Sequence, residues 1–103
     1  MTRQTISAVG VRVDDDALRV ELSDGRSISA PLAWYPRLLR GTKKERNKCQ
    51  LIGGGRGIHW PALDEDISVE NLLAGQASTE SQQSFQKWLA QRAAARSRHR
   101  GRE

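Results

Sequence analysis

The dipeptide Asp24-Gly25 stands between two alternating runs, "ALRVELS" and "RSISAP", and it limits the fold of this chain more tightly than any other feature. An Asp-Gly connection favours positive φ, which glycine adopts without steric cost and aspartate tolerates, so the runs are predicted to fold back as an antiparallel hairpin. Leu18, Val20 and Leu22 alternate with polar residues on the first run, as do Ile28 and Ala30 on the second, giving each strand one face toward a core. Upstream, "ISAVGVRV" carries Ile6, Ala8, Val11 and Val13, and the alternation slips at Gly10 as it does at a β-bulge. The reading is a three-stranded antiparallel meander ending at Pro31.

Beyond Pro31 the period of two gives way to short helical turns. Pro36 suits the first position of a helix, where its fixed φ is already helical, and Gly41 suits its end, so Tyr35–Arg40 is predicted as a turn or short helix. Thr42 and Glu45 have the T-x-x-E spacing of a capping box, in which each side chain satisfies a free backbone N–H of the other residue. "QLIGGGRGIHWP" returns to extended backbone. Its glycines resemble a phosphate loop only superficially, because the lysine and hydroxyl of G-x-x-x-x-G-K-[ST] are missing, and a flexible hairpin tip or bulged strand is expected instead. "DISVENLLAG" reads as one short helix capped by Ser68 and ended by Gly75. After linker-like "QASTESQ", Thr79 and Gln82 form a second capping-box spacing before a helix over Ser81–Ala95, on which Phe85, Trp88 and Leu89 stand at i, i+3 and i+4. "RSRHRGRE" is too polar and charged to fold alone. The expected organisation is an α+β domain over residues 1–75, a small antiparallel β-meander with short helices packed on it. Residues 76–103 then supply a linker, an amphipathic helix and a basic tail.

The chain has 103 residues, enough for one modest core. With five aromatics that core must come mostly from aliphatic residues, and Trp60, Leu63, Ile67, Leu72 and Leu73 are its expected members in the second half. A single cysteine, Cys49, allows neither an internal disulfide nor a zinc site of several cysteines, and its thiol reads as a partly buried, inert group. No apolar run approaches the roughly 18 residues of a membrane span and none resembles a signal peptide, so a soluble, cytoplasmic protein without membrane attachment is expected. Charge is unevenly placed: Met1–Gly75 holds 11 Lys and Arg against 10 Asp and Glu, whereas Gln76–Glu103 holds 6 against 2. The body is nearly neutral and the tail is basic.

The segments "DDDALRVELSDGRSISAPLAWYPRLLRGTKKER" and "IGGGRGIHWPALDEDISVENLLAG" resemble the small bacterial DUF2442 family, from about Val11 to Gly75. The shared hallmarks are the Asp-Gly hairpin, the "YPRL" turn, the helix opened by Thr42 and the closing "GIHWPALDEDISVENLLAG". The resemblance implies a small α+β fold of meander, short helices, return strand and last helix. It is similar to the N-terminal domain of some bacterial proteins that carry a helix-turn-helix domain behind it. Members also neighbour another small domain in pairs that suggest toxin–antitoxin or regulatory modules. The resemblance supplies no reaction and no catalytic residues. Cys49 departs from the aromatic commoner at its position, and the basic end beyond Gly75 lies outside the pattern.

For an enzyme the candidates are His59, Asp64, Glu65 and Asp66. One histidine with neighbouring carboxylates is short of the three or four converging ligands of a metal site. The run "DED" before a helix is read as capping and dipole pairing rather than acid–base chemistry, and Trp60-Pro61 as a core anchor that stops a strand. The dense stretch is thus expected to be a structural corner, and neither a catalytic residue nor a cofactor is assigned.

The residues favour a non-enzymatic binding or regulatory module, an antitoxin-like or adaptor partner of a co-encoded protein. Phe85, Trp88 and Leu89 are the expected docking stripe, buried either in a protein partner or second copy or back on the chain's own body. Trp34 and Tyr35, adjacent and pointing apart, leave one of the pair as a contact residue. The alternative is nucleic-acid binding by the tail residues Arg92, Arg96, Arg98, Arg100 and Arg102, with Lys43 and Lys44 of the basic middle segment, through attraction to phosphates.

Overall fold

The computed structural model describes residues 5–100, with side chains through Ala95. Strands β1 (Ala8–Val13), β2 (Ala17–Leu22) and β3 (Ser27–Pro31) pair antiparallel in that order, as the alternation requires. Leu18, Val20 and Leu22 are buried while Arg19 and Glu21 face outward. The register slips between Ala8 and Gly10, so the bulge falls where glycine interrupts the pattern. Gly25 turns the β2–β3 hairpin at φ +91°, and the Leu22 N–H closes it on the Arg26 carbonyl at 2.8 Å. The "DDD" run makes the other turn, with the Asp14 carboxylate accepting the N–H groups of Asp16 and Ala17 at 2.9 and 2.8 Å.

Helices α1 (Pro36–Arg40) and α2 (Lys43–Arg46) follow. Both halves of the Thr42–Glu45 capping box form, at 2.8 and 3.1 Å. Between the helices, a Cβ on Gly41 would fall 2.8 Å from a methyl of buried Leu63, so any larger residue would force that side chain to shift.

A second antiparallel sheet contains β4 (Gln50–Ile52), β5 (Gly57–Trp60) and β6 (Glu65–Ser68) in that order. The glycine run forms a tight turn at the tip of the β4–β5 hairpin. Gly55 sits there at φ +89°, where a Cβ would fall 2.6 Å from the Ala8 carbonyl oxygen, and its bareness lets the second sheet meet β1. Strand β6 differs from the helix-only reading of "DISVENLLAG". Asp64, in left-handed geometry at φ 50°, reverses the chain so that residues 65–68 pair with β5, and α3 (Val69–Leu73) starts after Ser68, which caps it as expected, its Oγ accepting the Asn71 N–H at 3.0 Å. Leu73 is also corrected, being 38 % exposed rather than core, because so short a helix buries only Val69 and Leu72.

The last helix, α4 (Gln82–Arg100), begins after Ser81 rather than in a Thr79–Gln82 box, since Ser81 Oγ accepts the Ser84 N–H at 3.1 Å. Its helical course continues to Arg100, beyond the point where the basic end was expected to lose structure. One hydrophobic core unites the two sheets, and Trp88 belongs to it, with Phe85 and Leu89 packed partly buried against it. The architecture is α+β throughout.

Candidate functional site

Three consecutive carboxylates enter three environments because β6 alternates and Asp64 turns. Asp64 is exposed beside Arg37, at 3.7 Å, and Asp66 pairs with His59 directly across the β5–β6 ladder. Glu65 turns the other way, into a cleft of about 310 Å³ bounded by Tyr35, Arg37, Asn71 and the strap of residues 76–80. Its Oε1 accepts the Asp66 N–H at 3.2 Å, while Oε2 is shielded from solvent without a hydrogen-bond partner. Burial of the charged form raises the carboxyl pKa to about 7, partly opposed by the Asp66 amide and Arg37 and reinforced by Glu80 and Asp66. Ser68 rather than Asp66 caps α3, and among the described residues no three metal-binding side chains converge. What the sequence could not display is the inward turn of Glu65, which depends on β6.

Trp60 is the anchor expected of it, with no exposed surface and its indole N–H donating to the Arg46 carbonyl at 2.9 Å. Arg46 in turn donates to the carbonyls of Leu38 and Leu39 at 2.8 and 2.7 Å and closes the end of α1, which commits it to structure. Cys49 is partly buried, and that burial raises its thiol pKa.

The contact residues proposed from sequence separate. Tyr35 is buried at 3 % exposure, with its hydroxyl donating to the Gln76 carbonyl at 3.5 Å, and this corrects its assignment as a contact residue; Trp34 is the exposed member of the pair at 37 %. The Phe85–Trp88–Leu89 stripe closes in cis. Trp88 is 8 % exposed, stacks on Phe85 at 5.8 Å, and lies beneath the guanidinium groups of Arg37 at 5.0 Å and Arg92 at 4.8 Å. Each arginine is neutralised in turn, Arg37 by Glu80 and Arg92 by a two-pronged pair to Glu45 at 2.8 and 3.1 Å. Hydrogen bonds from Arg92 hold the Glu45 carboxyl at about 2.

That second pair has an electrostatic consequence. Glu45 is the one acid within the segment Arg40–Lys48, and Arg92 both occupies it and draws basic α4 against α2. Arg40, Lys43, Lys44 and Lys48 remain exposed on this corner. Arg92 itself is committed to Glu45 and Trp88, which corrects its reading as a free phosphate contact. The side chains of Arg96, Arg98 and Arg100, and the whole of Arg102, lie outside the described residues. No helix among the described residues is long and apolar enough to cross a membrane.

A family model described as a protein of unknown function, DUF2442, matches residues 8–78, from β1 through the first part of the strap. The chain belongs to the DUF2442 family. The family match ends before α4, so the basic corner joins a surface of the DUF2442 domain to a helix outside it. Among solved structures, a crystal structure of a protein of unknown function from Rhodospirillum rubrum is 26 % identical, with a TM-score of 0.66 over 75 % of this chain and 95 % of that one. A solution structure of an uncharacterized protein from Chromobacterium violaceum shares the fold at 19 % identity, with a TM-score of 0.60 over 84 % of this chain and 75 % of that one. No curated protein matched.

Proposed function

We propose that this DUF2442 protein is a non-enzymatic binding module whose basic corner, formed by α1, α2 and α4, takes the phosphate backbone of a nucleic acid. The observation that carries the reading is the Arg92–Glu45 pair: it removes the one acid from the Arg40–Lys48 segment and sets the basic helix beside it. Exposed Arg40, Lys43, Lys44 and Lys48 supply the charge density that phosphate attraction requires, and such contacts position a partner without reading its sequence. The inward Phe85–Trp88–Leu89 stripe folds α4 onto the body and leaves Lys87 exposed on it.

The test is binding of a short labelled DNA duplex at several salt concentrations. If those four cations each hold one phosphate, log affinity falls with log salt at a slope of about −3.6, and the double variant Lys43→Ala/Lys44→Ala brings it to about −1.8 while weakening all sequences alike. No binding at low salt, or an unchanged slope in the variant, overturns the reading.

A protein partner is the second reading, favoured by edge strand β4, where Leu51 and Ile52 are 44 % and 41 % exposed. In that adaptor or antitoxin-like role, capture of a partner would persist through high salt and be lost in Leu51→Asp.

A further inference from the structure

The strap and α4 are held to the body by the apolar stripe of Phe85, Trp88 and Leu89, by the Ser78 N–H donating to the Trp34 carbonyl at 2.9 Å, and by two arginine–glutamate pairs. Arg37 is the hub. It donates to Glu80 from Nε at 2.9 and 3.0 Å and again from its terminal nitrogen, reaches the Asp64 carbonyl at 3.1 Å, and lies over Trp88. Glu80 is further fixed by the Ser84 hydroxyl at 2.8 Å, which ties the strap to the first turn of α4. The same strap walls the cleft that holds Glu65. Closing the arm therefore strips water from Glu65 and brings Glu80 toward it.

We propose that the strap and α4 form a proton-gated arm: a charge on Glu65 loosens the Arg37–Glu80 latch and lets α4 leave α2. The inference rests on the proposed function for its consequence, since release would dismantle the basic corner, but the gate itself needs no nucleic acid.

The groups facing Glu65 decide the sign. Arg37 comes from α1 and attracts a charged Glu65; Glu80 on the strap and neighbouring Asp66 repel it; Tyr35 contributes a phenol whose own ionisation Glu65 opposes. When Glu65 is uncharged, Glu80 has Arg37 to itself. When Glu65 ionises, it competes for Arg37, repels Glu80 and demands hydration of Oε2, which is shielded in the closed arrangement. Its carboxyl sits at about 7 in the closed form, against an ordinary value of 4.5 that opening restores. A group raised in the closed form stabilises that form fully below its open-form pKa, and the contribution is lost as pH rises through about 7. The arm is thus closed in mildly acidic conditions and loosened in mildly alkaline ones.

The experiment is amide hydrogen exchange of the full chain without nucleic acid, corrected for intrinsic rates, from pH 6 to pH 8.5. Protection of α4 amides is expected to fall severalfold, at most about tenfold, over this range, while the β1–β3 sheet is unmoved. Glu65→Gln, which stays uncharged, is expected to flatten the profile. A flat profile in the unmodified protein overturns the proposal, as does the same decline in Glu65→Gln. Should that variant fail to fold, carbon NMR of the Glu65 carboxyl in the unmodified protein decides, because a midpoint near 4.5 would remove the gate. Duplex binding at pH 6 is read separately, so its failure would count against the phosphate reading and leave the gate standing.

Discussion

Two tryptophans of one core are held by different neighbours. Trp60 has no exposed surface, is surrounded by the aliphatic core, and gives its indole N–H to the backbone of Arg46. Trp88 is nearly as buried at 8 % but lies under two guanidinium groups, each neutralised by a carboxylate on another segment. Apolar burial varies little with pH or salt, whereas ion pairs and cation–π contacts respond to both. The corner around Trp60 therefore holds the fold permanently, and the arm around Trp88 is attached by contacts that conditions can reverse.

The sharpest way to break this contrast is to remove each ring. Trp60→Ala is expected to cost about 3–5 kcal/mol, enough to unfold much of a domain of this size, and urea denaturation monitored by circular dichroism checks it. Trp88→Ala is expected to cost only about 1–2 kcal/mol globally while abolishing protection across α4. Equal global losses in the two variants would erase the distinction.

A smaller effect sharpens it. Glu45→Gln weakens the outer pair with Arg92, and solvent screening keeps the cost near 0.5 kcal/mol, diminishing further in high salt. In the unmodified protein, Glu45 sits at about 2 instead of its ordinary 4.5. A carboxyl depressed in the folded state contributes fully above its unfolded pKa, and the contribution disappears as pH falls toward about 2. Together with Glu65, whose contribution is full below about 4.5 and gone above about 7, this predicts that protection of α4 peaks near pH 4.5 and declines on both sides, while core strand β2 shows no such maximum. Hydrogen exchange resolved by segment measures both at once.

Most of the first half was legible in the chain. Asp24-Gly25, Gly10, Pro36 and the Thr42–Glu45 box each act over a few residues, and each formed where the spacing placed it. Misreadings arose where distant partners chose between local options. Strand β6 went unread because only pairing with β5 extends residues 65–68, whereas the local Ser68 cap formed where it was placed. Tyr35 and Trp34 were equivalent as neighbours until the cleft took one of them. Arg92 looked like a free tail charge because Glu45, its partner, is 47 residues away.

By itself, then, the sequence determined the meander, the short capped helices, the Trp60 anchor and the DUF2442 resemblance, all set by turn chemistry, period and local hydrogen bonds. Only the tertiary structure decided that the aromatic stripe closes in cis, that Glu65 turns into a cleft, and that Arg92 joins two basic segments. Those outcomes depend on burial and on pairing between segments far apart in the chain, whose energies exist only once the segments meet.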